Sequence, residues 1–292
     1  DTIHPLILSG LVLLAIGVRV LCFVGLIGSD DLTYNRSAYK IATGTFSPQL
    51  GHQQARLGLF LPVAGAFRLL GVNEVSSAIF PFCCFLVTLA LLMYIGTISL
   101  GKRIGIVAGL LYIFLPVEVF NATMLLPDLP AATFVALSGT LLYLVERESA
   151  DTQWRTPLNS VKTCGYLFLA GLLLGWAYLI RETAVFFAIF VGGYLGYRAW
   201  ARKTMPWYWL WFGAGFLSVL GTEWGYYYWT TGSPLYRYVT IESGHNLTVL
   251  ALRDRVHGWA LLRRLTLDQL RVVFNVPNFN FYYFFIFAGI IY

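Results

Sequence analysis

The sequence is poor in charged residues. Of its 292 residues, 12% are Asp, Glu, Lys or Arg and 58% are hydrophobic, whereas soluble domains carry roughly 25% charged residues. The mean hydropathy is +0.69. A soluble chain of this composition would expose apolar patches that aggregate. The shortage of charge therefore excludes an ordinary soluble globular domain and predicts a polytopic α-helical membrane protein.

The sequence has only four cysteines. Their positions exclude a C-x-x-C redox motif and a cysteine metal centre. Cys22, Cys83, Cys84 and Cys164 all lie in apolar runs without metal-ligand spacing. They are interpreted as small core hydrophobes. The sequence also lacks regular internal repeats and low-complexity segments. The first apolar run does not read as a cleavable signal peptide, because it is too long and has no small-residue cleavage site.

Apolar runs long enough to cross a membrane recur along the chain. A spanning helix needs about 20 mostly apolar residues. We predict one membrane module over residues 1–292 with about eight spans. Because the last run is still apolar at Tyr292, we expect further helices beyond it. The predicted spans are 5–27, 75–100, 104–120, 129–145, 164–180, 184–200, 207–229 and 279–292.

Basic residues in three short loops give the predicted orientation. The loops after the second, fourth and sixth spans fall on one side, and the positive-inside rule makes that side cytoplasmic. The long connections 28–74 and 230–278 then lie on the extracytoplasmic side, although the second is itself basic. We predict a multi-pass protein of the bacterial inner (plasma) membrane with an extracytoplasmic active site. The short-loop residues are Lys102, Arg103, Arg147, Arg155, Lys162, Arg198, Arg202 and Lys203.

The net charge of +6 does not indicate nucleic-acid binding, because no basic cluster alternates with aromatic residues on a soluble face. Arginines of the second long connection, Arg237 among them, suit anionic lipid headgroups or the phosphate of a lipid-linked substrate. Topological or packing roles explain any single one of them equally well. The expected partners are therefore membrane lipids and a lipid-linked substrate.

The first long connection begins with two adjacent acids, Asp30 and Asp31. Apolar residues at helical spacing then predict a helix that lies in the membrane interface and ends at Gly44. A second interfacial helix is predicted over 54–70. The two acids would border a pocket with water on one side and lipid on the other. Either acid could instead cap the first helix, but capping needs one oxygen and explains one of the two.

Two further turns on the same side carry charged residues. Asp128 lies between Pro127 and Pro130 at membrane depth, where an acid is costly unless it is paired or functional. It could also cap the fourth span. The turn between spans five and six holds Arg181 and Glu182. These two residues either form a local ion pair, or the forked donors of the arginine reach a substrate phosphate.

Other candidates lie on this side as well. Arg56 is a second candidate phosphate ligand, and Glu223 lies near the outer end of span seven among aromatic residues of an interfacial belt. His52 and His245 have no Cys or Glu at ligand spacing, so no zinc site is predicted. Carboxylates that can act as general bases and arginines that can stabilise a departing phosphate indicate chemistry on an anionic, lipid-anchored substrate.

The order of these features resembles the GT-C superfamily of membrane glycosyltransferases, near the protein O-mannosyltransferases and the lipid A aminoarabinose transferase. The resemblance covers about residues 5–234. Each piece is weak alone, and their order makes the resemblance fairly specific. The pieces are Asp30-Asp31, Tyr34, Gly44, Arg56 to Pro62, Leu70-Gly71-Val72, Gly101-Lys102-Arg103, Gly105 to Pro116, Asp128, Gly171 to Gly175, Leu179-Ile180-Arg181 and Thr231-Gly232-Ser233-Pro234.

The resemblance implies an all-α GT-C bundle that moves a sugar from a polyprenyl-phosphate donor to a hydroxyl of a glycan, lipid or protein, with inversion. Asp30 and Asp31 are the predicted catalytic residues, and Asp30 occupies the position of the family's catalytic acid. Arg56 and Arg181 would hold the donor phosphate. Asp128 and Glu223 would position the acceptor, and Asp30, Asp31 and Asp128 would hold a divalent cation (Mg²⁺ or Mn²⁺) if one is used. The other candidates are Tyr34, His52, Glu182, Arg237 and His245.

One sequence difference from these families and one alternative function bear on this interpretation. Aminoarabinose transferases carry Glu-Lys-Pro in the first connection, where this chain has Gln54-Ala55-Arg56, which puts lipid A as the acceptor in doubt. The rival is a transporter or flippase of a lipid-linked saccharide. It would need mid-membrane charges and broken helices in two related halves, whereas the predicted spans are nearly free of charge. A scaffold with a degenerate site is the third reading.

Overall fold

A computed structural model describes residues 3–48, 53, 55–151, 161–202 and 207–241. Every regular element in these ranges is helical, which confirms the predicted all-α class. A helical segment over 236–241 follows the last labelled helix. The helices are α1 (Pro5–Leu21), α2 (Asp30–Thr43), α3 (Leu57–Leu70), α4 (Glu74–Leu100), α5 (Lys102–Ile113), α6 (Pro116–Asn121), α7 (Asp128–Asp151), α8 (Val161–Ile180), α9 (Val185–Arg202) and α10 (Leu210–Thr231), with 3-10 turns at Glu182–Ala184 and Trp207–Trp209.

Four of the described helical segments are long and apolar enough to cross a membrane, which supports the polytopic prediction. They are Glu74–Leu100, Asp128–Glu148, Val161–Ile180 and Glu182–Ala201. Large apolar side chains stay exposed on other helices too, for example Leu13 on α1 and Leu217 on α10, as lipid-facing surfaces require. The eighth predicted span, 279–292, lies outside the described residues.

The first span is shorter than predicted. The apolar run suggested a helix over 5–27, but α1 ends at Leu21. Gly25 and Gly28 then adopt φ angles of 70° and 87°, in the left-handed region that glycine enters without steric cost. The chain therefore leaves the helix six residues early and forms a loop that leads into α2.

The third predicted span, 104–120, is also wrong as a continuous helix. α5 stops at Ile113, and α6 starts at Pro116. Proline lacks the N–H that a helix needs and disfavours helical geometry in the residue before it. The carbonyl oxygen of Ile113, left open by the break, accepts a hydrogen bond from the guanidinium of Arg19 on α1.

The helices α8 and α10 approach each other at backbone distance. A methyl group on Gly171 would overlap the carbonyl oxygen of Phe212, and one on Gly215 would overlap that of Phe168. Small residues at such a crossing allow the close approach that stabilises helix pairs in membranes. On its other side α8 packs against α7, and α4 packs against both α5 and α7. The bundle therefore has α8 near its centre.

The first long connection forms two helices, as predicted. α2 ends at Thr43, and Gly44 closes it with a φ of 74°. α3 begins at Leu57, three residues later than the predicted start, and contains Pro62. A methyl group on Gly58 would lie 2.8 Å from the Cβ atom of Leu179, so the start of α3 is seated against the end of α8.

Several helix ends meet at one end of the bundle. The backbone N–H of Val24, after α1, donates to the hydroxyl of Thr123, before α7, at 3.3 Å. The start of α3 contacts the end of α8 there as well. We call this end, where α1 and α8 end and α2 and α7 begin, the site face. The predicted site residues that the structure describes lie at this end of the bundle or directly beneath it.

Candidate functional site

The two adjacent acids at the start of α2 have different surroundings. Asp31 is fully buried, and its carboxylate accepts backbone N–H groups from Ile27 at 2.9 Å, Gly28 at 3.4 Å and Ser29 at 2.6 Å. A carboxylate bound in this way is fixed and holds the loop before the helix. Neither acid is the N-cap residue that the sequence suggested as an alternative, because Ser29 occupies that position.

Asp30, by contrast, is exposed at the site face. One of its oxygens accepts a hydrogen bond of 2.7 Å from the side-chain amide of Gln53. Asp30 is the first residue of α2, and the partial positive charge of a helix start attracts negatively charged groups. The structure therefore separates the predicted pair into a buried acid that binds backbone and an exposed acid that can reach a ligand.

Tyr34 lies one turn further along α2, among the charges of the site. It is buried, and its ring centroid lies 5.3 Å from the guanidinium carbon of Arg56. Burial raises the pKa of the Tyr34 hydroxyl, and the positive charge of Arg56 opposes that rise. Asp30 and Glu182 raise this pKa further, and Arg181 lowers it. The four charges thus act on one hydroxyl, which stays protonated at neutral pH.

Arg56 is a buried cation with unused hydrogen-bond donors. Its side chain is 8% exposed, and its Nε and Nη1 atoms have no partner among the described residues. Burying polar donors without partners is costly. An anion placed beside Arg56 would remove that cost, so the geometry fits a phosphate ligand.

Arg181 and Asp128 form an ion pair across the site face. The sequence suggested a local pair between Arg181 and Glu182, but Arg181 reaches the start of α7 instead. Asp128 is the first residue of α7 and is exposed, so its carboxylate neutralises the arginine without sealing it from solvent.

Arg237 forms a closed ionic cluster beneath this surface. It is 1% exposed, and its Nη1 atom lies 2.7 Å from Oε1 of Glu223. Its Nη2 atom donates to the carbonyl oxygen of Tyr178 at 2.7 Å and lies 3.8 Å from Oε2 of Glu182. The cluster joins α8, α10 and the 3-10 turn after α8, so Arg237 fixes the turn that carries Arg181.

A cavity of about 640 Å³ opens between α2, α3, α8 and α10. One end of the cavity lies at Leu57 and Leu179. Leu57 follows Arg56 in the chain, and Leu179 lies two residues before Arg181. The lining residues on α8 run from Leu172 to Leu179, so the cavity extends about 10 Å along that helix. Oε2 of Glu223 and Nε1 of Trp176 have no hydrogen-bond partner among the described residues. The lining residues are Ile41, Gly44, Phe46, Leu57, Leu61, Leu172, Trp176, Leu179, Val219, Thr222, Glu223 and Tyr226.

The predicted aspartates do not form a metal-binding group. Within the described ranges no three His, Cys, Asp or Glu side chains are placed to hold a metal ion. Asp31 is occupied by backbone N–H groups and Asp128 by Arg181, so neither matches the open oxygen ligands that Mg²⁺ and Mn²⁺ prefer. His52 and His245 lie outside the described residues.

The helices carry more buried charge than the sequence suggested. Arg19 on α1 and Glu223 on α10 are both buried, and Arg198 on α9 pairs with Glu146 on α7. A lone arginine in an apolar run was the available signal for Arg19. No comparable signal marked Gln53, whose contact with Asp30 spans 23 positions, or Trp176, which reads as an ordinary lipid-facing aromatic.

The chain matches a known protein family over a region that includes part of this site. The sequence profile described as dolichyl-phosphate-mannose-protein mannosyltransferase, PMT_2, matches residues 58–224. The match covers more than half of the chain. The protein belongs to this family. No curated protein and no solved structure matches the chain.

Membership in the PMT_2 family confirms the resemblance to GT-C glycosyltransferases. The protein is a multi-pass membrane enzyme that uses a polyprenyl-phosphate-linked sugar as donor. The matched residues include Asp128, Arg181 and Glu223, whereas Asp30 and Arg56 precede the match. Membership favours the enzyme over the transporter and the scaffold, although the described helices do contain buried charges.

Proposed function

We propose that this enzyme transfers a sugar, with inversion at the anomeric carbon, to an acceptor hydroxyl on the extracytoplasmic side of a bacterial plasma membrane. The observation that carries the proposal is the exposed carboxylate of Asp30, one helical turn before Tyr34, whose ring lies 5.3 Å from the buried guanidinium of Arg56. A general base and a cation for phosphate thus lie on the same short helix pair.

Asp30 is the proposed general base. Its carboxylate accepts the proton of the acceptor hydroxyl as that oxygen bonds to the anomeric carbon. The bond from the anomeric carbon to the phosphate oxygen breaks, and its electron pair leaves with the polyprenyl phosphate. General-base catalysis of this kind contributes roughly 10²–10⁴-fold to a rate. The hydrogen bond from Gln53 orients the carboxylate.

Arg56 and Arg181 are the proposed ligands of the donor phosphate. Arg56 has two donors without partners among the described residues, so it can bind an oxyanion without first breaking a contact. Arg181 is shared with Asp128 and can turn toward the phosphate as its negative charge grows. Stabilising charge that develops on a leaving group is a strong contribution to catalysis.

The cavity between α2, α3, α8 and α10 suits the polyprenyl chain of the donor. Its walls are mainly apolar, and they include Leu57, which follows Arg56 in the chain, and Leu179, two residues before Arg181. A lipid whose phosphate sits at these arginines would therefore have its chain aligned with the cavity. Asp128 is the proposed acceptor-positioning residue. We assign Glu223 to holding Arg237 and Asp31 to holding the loop before α2.

The test is sugar transfer in proteoliposomes by the full chain, with a panel of labelled polyprenyl-phosphate sugars and a cell-envelope fraction as acceptor. Asp30→Asn should lower the rate at least about 100-fold while the protein stays folded. Gln53→Ala is the matched control, because it removes the orienting contact and leaves the carboxylate. Equal rates for Asp30→Asn and wild type would overturn the assignment of the base.

The side of the membrane and the stereochemistry need separate measurements. Cys22 is exposed at the end of α1 on the site face, so a membrane-impermeant maleimide should label it in intact spheroplasts of a variant that lacks the other accessible thiols, Cys83→Ala/Cys164→Ala. Labelling only after permeabilisation would place the site face in the cytoplasm. Nuclear magnetic resonance of the product should show the anomeric configuration opposite to that of the donor.

A further inference from the structure

Four residues of α2 line a second cavity, of about 310 Å³, that the proposed reaction does not use. They recur at helical spacing, and the buried side of the same helix, with Tyr34 and Ala38, packs against α3 instead. This cavity shares no lining residue with the cavity of about 640 Å³. We call it the α2–α4 cavity. It is lined by Leu26, Leu32, Asn35, Arg36, Tyr39, Phe67, Val72, Asn73 and Glu74.

The α2–α4 cavity contains one charge of each sign. Arg36 and Glu74 both line it and are both exposed, and neither forms an ion pair with another described residue. The carboxylate of Glu74 rests against the loop before α2, because a methyl group on Gly25 would lie 2.5 Å from its Oε2 atom. Both charges are therefore accessible to a ligand that carries a negative and a positive group.

The cavity lies at the border between water and lipid. Glu74 is the first residue of α4, a helix of 27 residues that is long and apolar enough to cross a membrane. Beside it, Leu69, Val72 and Val75 are 84%, 60% and 63% exposed. A patch of large apolar side chains is disfavoured in water, so this patch faces lipid. The charges of the cavity therefore lie at the level of the lipid headgroups.

Apolar side chains continue from Glu74 along α4 toward the middle of the bilayer. Val75, Ile79 and Phe82 lie on one side of this helix and line, together with Phe23, a cavity of about 170 Å³. From Val75 to Phe82 this surface extends about 10 Å along the helix. Charged groups thus lie at the helix start and apolar groups lie deeper, which matches a phospholipid with its headgroup at the membrane surface.

We propose that the α2–α4 cavity binds a zwitterionic aminophospholipid of the surrounding membrane, with its phosphate on Arg36 and its ammonium group on Glu74. The forked donors of an arginine match phosphate oxygens, and an ammonium group donates to a carboxylate. A water molecule takes about 30 Å³ of liquid volume, so the cavity has room for about ten non-hydrogen atoms, enough for a phosphoethanolamine group. An anionic lipid would bring negative charge near Glu74, and a neutral saccharide would leave both charges unpaired.

Native mass spectrometry of the delipidated full chain in detergent tests the site. The probes are dioleoyl phosphatidylethanolamine and dioleoyl phosphatidylglycerol, which lacks the ammonium group. Wild type should bind phosphatidylethanolamine about tenfold more tightly than phosphatidylglycerol. Glu74→Gln should abolish this preference, and Arg36→Met should weaken both lipids about tenfold. Arg103→Met, which removes an exposed arginine beyond the opposite end of α4, is the control and should bind like wild type.

Two soluble probes identify the occupant. Phosphoethanolamine has the headgroup without acyl chains, and a panel of methyl glycosides represents a saccharide. Both should leave the bound lipid in place. Displacement by the glycosides would assign the cavity to a saccharide, and phosphoethanolamine that binds as tightly as the lipid would exclude a contribution of the acyl chains. Equal affinity of wild type for the two lipids, or unchanged phosphatidylethanolamine binding in both variants, would also contradict the proposal.

If the variants do not fold, the wild-type chain can be labelled with phosphatidylethanolamine that carries a diazirine on one acyl chain. Label should concentrate in peptides that contain residues 22–27 and 72–82. An even spread over the lipid-facing helices would show that no such site exists. Neither measurement depends on sugar transfer, so the lipid site and the proposed function can fail separately.

Discussion

The site contains two groups of charged residues that the fold treats in opposite ways. In the open group, Asp30 is exposed, and neither Asp30 nor Arg56 forms an ion pair with a described residue. In the closed group, Glu223 and Arg237 are buried and joined at 2.7 Å. The first arrangement leaves charge available to a ligand. In the closed group the charges pair with each other and hold helices together. One site therefore combines a binding surface with a rigid support.

The largest effect on stability should come from opening the closed group. Glu223→Gln leaves the Arg237 guanidinium buried without its carboxylate, which typically costs about 3–5 kcal/mol of unfolding free energy. Glu182, at 3.8 Å from Arg237, moves the expected loss to the lower end. Detergent-denaturation titrations followed by tryptophan fluorescence measure it. The double variant Glu223→Gln/Arg237→Met is the control and should recover part of the loss, whereas a loss under 1 kcal/mol for Glu223→Gln would break the comparison.

A smaller loss is expected when the buried acid of the adjacent pair is changed. Asp31→Asn removes the charge that three backbone N–H groups point at, and hydrogen bonds to charged groups contribute about 1.5–3 kcal/mol to stability. The same titration reports the change, with Asp30→Asn as the matched variant that should unfold like wild type. If Asp30→Asn is the more destabilising of the two, the assignment of Asp31 to holding the loop and of Asp30 to ligand binding is wrong.

A change at Arg56 should weaken donor binding without lowering the stability of the protein. Arg56→Met removes a guanidinium with unfilled donors and should leave the unfolding free energy unchanged or raise it. The KM for the polyprenyl-phosphate donor should rise about tenfold, which corresponds to about 1.4 kcal/mol of lost binding. Steady-state transfer at varied donor concentration measures this. An unchanged KM together with a destabilised protein would show that Arg56 belongs with the closed group.

The smallest effect is expected at the exposed pair of Asp128 and Arg181. Exposed ion pairs contribute about 0–1 kcal/mol to stability, so Asp128→Asn should unfold within that margin of wild type. Its test is the dependence on salt: the difference between the two proteins should shrink as ionic strength rises. A larger, salt-independent loss would mean that this pair is sealed like Glu223 and Arg237.

Local sequence patterns predicted most of the helices, but they could not predict contacts between residues far apart in the chain. The end of α2 at Gly44 followed from composition and spacing, because a left-handed glycine closes helices in a recognisable way. The break before Pro116 follows an equally local rule, but the continuous apolar run concealed it. The link from Arg237 to the end of α8 could not be predicted, since it joins residues 59 positions apart.

The assignment of charged residues in the site was predictable only in part. Asp30, Arg56 and Arg181 were chosen as candidates by residue type and by their place in the connections on one side of the predicted bundle. Nothing in the sequence separated Asp30 from Asp31, because their difference arises from the loop at 25–29. That loop turns back so that its N–H groups meet only the second acid. Which of two adjacent carboxylates is free is therefore a property of the loop and not of the motif.

The backbone contact between α8 and α10 has a mechanical consequence. With Gly171 and Gly215 already at touching distance from the opposite helix, these two helices cannot close further or slide without a clash. They form one wall of the cavity of about 640 Å³. The opposite wall consists of α2 and α3, which begin at Asp30 and directly after Arg56, so a displacement of this wall would carry both residues with it. Substrate entry that displaces this wall would then move the base and the phosphate ligand together.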